Sequence, residues 1–243
     1  MLNVYDSIVH EHDLRFVALA AGICALSTLT GAAIAQYSMK ADVAKRGGWL
    51  MLAGLVTGLG VWTTHFTAML GYRTELNIHF DLMVAAYSLL LAVALTIAGG
   101  LVGLIPRQRG LLAGAIVGVG VAVAHFLDMH ALRFQGVIVH DLTTSIVSVV
   151  FGIALAALAG RLFVRWNDQI FAWPAAAALF AAVLSLHFIA MSGITIVPRD
   201  APAEVGRWIA SADELATIVV AAFMVMLGAA ITYTWHSERL SRA

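Results

Sequence analysis

The chain is poor in charge. Of its 243 residues, 12% are Asp, Glu, Lys or Arg and 61% are hydrophobic, whereas soluble domains carry about 25% charged residues. That imbalance excludes a water-soluble fold. Cysteine is nearly absent. Cys24 stands alone in an apolar run, so no intrachain disulfide can form, and it reads as a small buried hydrophobe. The formal net charge is +0, which gives no bulk attraction for nucleic acid. Lysine occurs only at Lys40 and Lys45, both expected in a loop, which disfavours the buried Schiff base of a retinal protein. The opening residues, MLNVYDSIVHEHD, lack the basic region of a cleavable signal peptide. The first apolar segment is therefore expected to remain as a membrane span.

What the sequence does have is long apolar runs. A helical span needs roughly 20 residues, and seven segments qualify: Leu14–Ser38, Trp49–Tyr72, Leu82–Leu104, Leu111–Leu132, Leu142–Phe163, Trp173–Ile196 and Leu215–Trp235. None alternates as barrel strands must. The predicted fold is an all-α integral membrane domain over residues 1–236, with 237–243 opening a cytoplasmic linker to an output domain. The loops after the odd spans and the C-terminal tail hold nine Lys and Arg against five on the other side. The positive-inside rule then places the N-terminus outside and the C-terminus in the cytoplasm, as in a bacterial inner membrane. The lipid bilayer is the first partner, and a second copy of the chain is a candidate one.

The chain repeats itself. LAGLVTGLGVWTTHFTAM, ending at Met69, aligns with LAGAIVGVGVAVAHFLDM, ending at Met129, and AAVLSLHFIAM, ending at Met191, is a weaker third copy. The odd spans open on Asp13, Asp81, Asp141 and Glu214, each followed by leucine, with His12, His79 and His140 just ahead of the first three. The chain thus reads as three helix-pair repeats in one orientation plus a seventh helix. Gly54-x-x-x-Gly58 and Gly114-x-x-x-Gly118 are expected to let helices approach closely. The acidic residues are expected to cap helices.

Each copy keeps a histidine and, four residues on, a methionine: His65/Met69, His125/Met129 and His187/Met191. That spacing places both side chains on one helical face. His65 follows Trp49 by sixteen residues, roughly 24 Å along a core of about 30 Å, so the motifs share one level near the outer surface. Imidazole and thioether form a soft donor set that suits copper, Cu(I) above all. Zinc is the alternative, through the histidines alone. His12, His79 and His140 are candidates for a second metal cluster. Asp128, found only in the second motif, has three candidate roles: pairing with His130, pairing with Arg133, or orienting a ligand histidine.

Seven spans, an outside N-terminus and His-centred motifs near the outer ends of the second, fourth and sixth helices resemble the MHYT domain of bacterial membrane sensors. The family motif reads Met-His-Tyr-Thr, commonly followed by Gly-Met. Here Thr64, Ala124 and Leu186 precede the histidines and Phe66, Phe126 and Phe188 follow them. The leading methionine and the tyrosine hydroxyl are absent as donors, while His and the trailing Met persist in all three copies. The resemblance implies a non-catalytic sensory domain that binds copper, senses a diatomic gas or redox state, and signals to an output such as cyclic-di-GMP turnover. The competing reading is a seven-helix zinc hydrolase using the three histidines, with Asp128 or Ser185 assisting water.

Overall fold

The computed structural model describes residues 4–103, 109–166, 172–198 and 208–241. Leu104, the predicted end of the third span, lies outside them. So do Arg107, Arg199, Arg207 and Arg242, four of the basic residues behind the predicted orientation. Eight helices run in order through the described residues: α1 (Val4–Val9), α2 (Leu14–Lys40), α3 (Val43–Leu70), α4 (Leu82–Gly103), α5 (Gly110–His130), α6 (Leu142–Trp166), α7 (Trp173–Met191) and α8 (Ala212–Ser241). All but α1 are long and apolar enough to cross a membrane. The protein is a multi-pass, all-α membrane protein, as its apolar runs require.

Helices α2 to α7 form a ring in sequence order, closed by α7 packing back on α2, while α8 lies against α3 and α2. The motif helices are the inner ones. In the most apolar windows of α3, α5 and α7, 83%, 50% and 50% of residues are buried, against 39%, 22%, 22% and 17% for α2, α4, α6 and α8. The glycines act as their spacing predicts. A Cβ on Gly58 would stand 2.7 Å from the Val93 Cα of α4, and one on Gly114 would run into the Ala156 carbonyl oxygen of α6. Only a bare backbone permits such approach. The third repeat has lost its glycines, and α8 correspondingly packs on α3 and α2 rather than along α7.

The acidic helix starts are caps. Asp13 accepts the Arg15 amide at 2.9 Å, Asp81 the Met83 amide at 3.0 Å, and Asp141 the Thr144 amide at 2.8 Å. Arg15 also grips Asp13 with its guanidinium and holds that carboxyl at about 2. Glu214 differs: it sits inside the first turn of α8 and accepts the Ser211 amide and hydroxyl, while Ser211 caps in return. This is the reciprocal capping box.

One end of the bundle is knitted by short strands that hydropathy does not foresee: β1 (His79–Asp81), β2 (Leu132–Arg133), β3 (Gly136–His140), β4 (Ile194–Pro198) and β5 (Ile209–Ala210). β1 pairs antiparallel with both β2 and β5, and β3 pairs with β4. The predicted sixth span overshoots for this reason. α7 stops at Met191, and Ile194, Thr195, Ile196 and Val197 pair with β3. β-Branched residues in that run favour the pleated strand. The second span begins earlier than predicted, at Val43, because a polar first turn can be helical without being apolar. At the far end α8 continues to Ser241 as helix.

Candidate metal centre

His65, His125 and His187 come from α3, α5 and α7 and meet on the axis of the bundle, toward the stranded end. They are 5%, 4% and 6% exposed. One nitrogen from each lies within 4.8 Å of the other two, and among the described residues this is the only such group of three or more His, Cys, Asp or Glu side chains. The ring centroids form a nearly equilateral triangle with edges of 5.0, 5.2 and 5.3 Å. The repeat produces this symmetry: equal positions on three like helices converge.

The nitrogens are short of partners. His65 Nδ1 and His125 Nδ1 lie 3.2 Å apart, within hydrogen-bonding distance of each other. Nε2 of both residues and both ring nitrogens of His187 have no hydrogen-bond partner. Buried polar atoms are normally satisfied, so three converging imidazoles with orphaned nitrogens call for a common ligand. The space there is about 20 Å³, enough for a single small species. Three imidazoles suit copper or zinc, and not the oxygen-seeking Mg, Ca or Mn.

The neighbours of the triad sort into three sets. Met69, Met129 and Met191 are 3%, 3% and 1% exposed and share one apolar cluster with Trp62, Phe66 and Phe80. Toward the other end, Cys24 packs with Val61, Val121, Val183 and Leu186, as a small hydrophobe should. Asp128 is fully buried and lines the same space as the histidines. Its partner is neither His130 nor Arg133. Ser88 of α4 donates its hydroxyl to Oδ1, and Oδ2 is orphaned. Arg133 instead binds Asp81 at 2.9 Å.

The three histidines expected as a second cluster do not come together. His79 and His140 are exposed, and His79 sits opposite Arg133 in the small sheet. His12 has gone elsewhere. It is 0% exposed, its Nδ1 donates to the Ser7 carbonyl at 2.7 Å, and its ring stands 5.8 Å from that of His187. Burial holds its imidazole below the ordinary histidine range, against the opposing pull of Ser7 and Glu11. The sequence signal for His12 was its place ahead of a capping Asp; its burial depends on α1 folding over it.

The family described as "Bacterial signalling protein N terminal repeat", MHYT, matches residues 58–115 and 118–173. The matched repeats contain two of the three motif histidines. The chain belongs to the MHYT family. Similar curated proteins share this MHYT region. An uncharacterized signaling protein of Caulobacter vibrioides is 32% identical over 204 residues, 82% of this chain and 25% of its own length. The cyclic di-GMP phosphodiesterase NbdA of Pseudomonas aeruginosa is 31% identical over 233 residues, 86% of this chain and 28% of its own. The bifunctional diguanylate cyclase/cyclic di-GMP phosphodiesterase MucR of the same species is 26% identical over 243 residues, 96% of this chain and 35% of its own. The MHYT chain thus spans about a quarter to a third of the length of these relatives. No solved structure matches it.

Proposed function

We propose that this MHYT domain is the membrane-embedded input of a signalling protein, built around a copper ion held by His65, His125 and His187. The observation that carries the reading is their convergence: three buried imidazoles, one per repeat, within 4.8 Å and with orphaned nitrogens. Met69, Met129 and Met191 add thioethers one helical turn from the histidines, a donor that favours Cu(I) over zinc. The ion would supply a redox-active centre; the protein supplies three fixed imidazoles, a dry surround and a pocket of single-ion size.

The signal is proposed to be a diatomic gas, a redox change or the metal itself. The output is a cytoplasmic domain acting on cyclic di-GMP, as the names of the relatives suggest. α8 lies against α3, the helix of His65. A small shift of α3 on ligation would therefore press on the last helix before the cytoplasm. This requires the N-terminus outside and the C-terminus inside, the orientation that the Lys and Arg bias favours. Cysteine placed at the exposed His10 should label from outside intact cells, and cysteine at Ser241 should not. The reverse pattern would overturn the orientation.

The zinc-hydrolase reading gains one observation, the Asp128 carboxylate in the same space. Against it, about 20 Å³ cannot admit a lipid substrate, and the Ser185 hydroxyl is bonded to the Ala181 and Ala182 carbonyls of its own helix. Metal analysis of the detergent-purified protein, with an absorption spectrum, decides between them. Stoichiometric copper supports the sensor; stoichiometric zinc with no affinity for Cu(I) overturns the copper assignment.

A further inference from the structure

Among the described residues His12 is the one histidine outside the triad that is fully buried, and three elements hold it there. Ser7 at the end of α1 fixes its Nδ1. The chain just past α3 pins its backbone: the Arg73 amide donates to the Glu11 carbonyl at 2.7 Å, and the Asp13 amide donates to the Gly71 carbonyl at 2.8 Å. Tyr72 and Phe188 pack edge-on against its ring at 5.2 and 5.5 Å.

The hydrogen bond to Ser7 fixes the chemistry of the ring. Nδ1 carries the proton, so Nε2 carries a lone pair in the neutral imidazole. That Nε2 is buried and has no partner. The adjacent ring, His187, has two orphaned nitrogens. One of them can face the triad centre. The other then bears a proton and needs an acceptor, since a metal-bound histidine almost always donates its second N–H. His12 and His187 each supply what the other lacks.

We propose that His12 is a positioning residue for the metal centre: when the metal binds, its Nε2 accepts the free N–H of His187, which fixes the ligand's tautomer and ties the N-terminal helix α1 to metal occupancy. The inference rests on the copper reading above. It adds a relay running from the Ser7 carbonyl through His12 and His187 to the ion. α1 packs on α7, the helix of His187, so the same contact that orients the ligand also seats the N-terminal segment. Loading the metal should therefore order residues 4–13, and loosening that segment should loosen the metal.

The test uses the full chain in detergent, Cu(I) as the probe, and two variants. His12→Phe keeps a ring against Tyr72 and Phe188 but cannot accept a hydrogen bond. His12→Gln places an amide oxygen near the position of Nε2. Cu(I) release should accelerate about 10–100-fold in His12→Phe, the usual cost of losing an outer partner, and return most of the way in His12→Gln. X-ray absorption should count three histidine ligands in all forms. Backbone hydrogen exchange in residues 4–13 should slow on Cu(I) loading in the unsubstituted protein and not in His12→Phe. Equal melting temperatures of the metal-free forms would show that the variants fold. Unchanged release and exchange in a folded His12→Phe would overturn the proposal, as would loss of one histidine ligand, which would make His12 a ligand itself. If the unsubstituted protein takes up no Cu(I), the copper reading falls first; if it does and His12→Phe is indistinguishable, only the role of His12 falls.

Discussion

Around His65, His125 and His187 the bundle leaves about 20 Å³; around Gly54, Gly114 and Ala176 it leaves about 140 Å³. These are the same three helices. Gly54, Gly114 and Ala176 each stand eleven residues before the motif histidine, about three turns along the helix. Toward the strands, large side chains from α3, α5 and α7 meet on the axis and fill it. Toward the other end, glycine and alanine let each inner helix press against its outer neighbour, and nothing long enough remains to fill the middle. The repeat thus separates two tasks along one helix. The small-residue end sets how the helices pack, and the His/Phe/Met end sets what they can bind. A substitution at one end should leave the other task largely intact.

The largest effect that follows is on metal retention. His65→Ala, His125→Ala and His187→Ala each remove one of three donors. Each should lower Cu(I) affinity by more than about 100-fold, the upper range for a mere outer partner. Isothermal competition against a Cu(I) chelator measures it, and the melting temperature of the metal-free protein should barely move. Full affinity in all three would sink the site. A large drop in melting temperature with affinity kept would reverse the proposed division of labour.

The converse effect is next in size. Gly114→Ala puts a methyl group against the Ala156 carbonyl and should destabilise by about 1–3 kcal/mol through overpacking. Gly22→Ala is the control: no heavy atom lies within 4 Å of its added Cβ. There the gain in helix propensity, about 1 kcal/mol in a soluble helix, should appear unopposed. Thermal unfolding in detergent compares them. Equal shifts would mean that the α5–α6 approach is looser than its backbone contact implies.

How much of this was legible in the sequence depends on whether a feature recurs. The histidine triad was, because three copies at one depth leave few places to meet. The glycine contacts and the Asp13, Asp81 and Asp141 caps were, because each follows from local spacing. Features that occur once were not. The Asp128–Ser88 pair joins residues forty apart on neighbouring helices, with no periodic trace. The burial of His12 depends on α1 and on the chain after α3. The strands escaped because Ile194–Val197 is as apolar as a helix end, and hydropathy does not distinguish a membrane turn from a paired strand. The methionines lie between these cases: their spacing was legible, and their role is still a proposal.

That role carries the smallest predicted effect and the sharpest chemical discrimination. Met69, Met129 and Met191 are buried with Trp62, Phe66 and Phe80 in an apolar cluster, so each already has a packing function. Replacing all three with leucine keeps volume and apolarity, and the fold should lose less than about 1.5 kcal/mol per site. A thioether is a good donor to Cu(I) and a poor one to zinc. If the thioethers reach the ion, the triple variant should lose about tenfold in Cu(I) affinity, or about 1.4 kcal/mol, while zinc affinity through the histidines holds. Parallel titrations of one folded preparation with both metals separate the two. Equal losses for copper and zinc would point to distortion of the histidine triangle by altered packing. No loss for either would make the methionines filler between the triad and the strands, and the preference for copper would then rest on three imidazoles that suit zinc equally well.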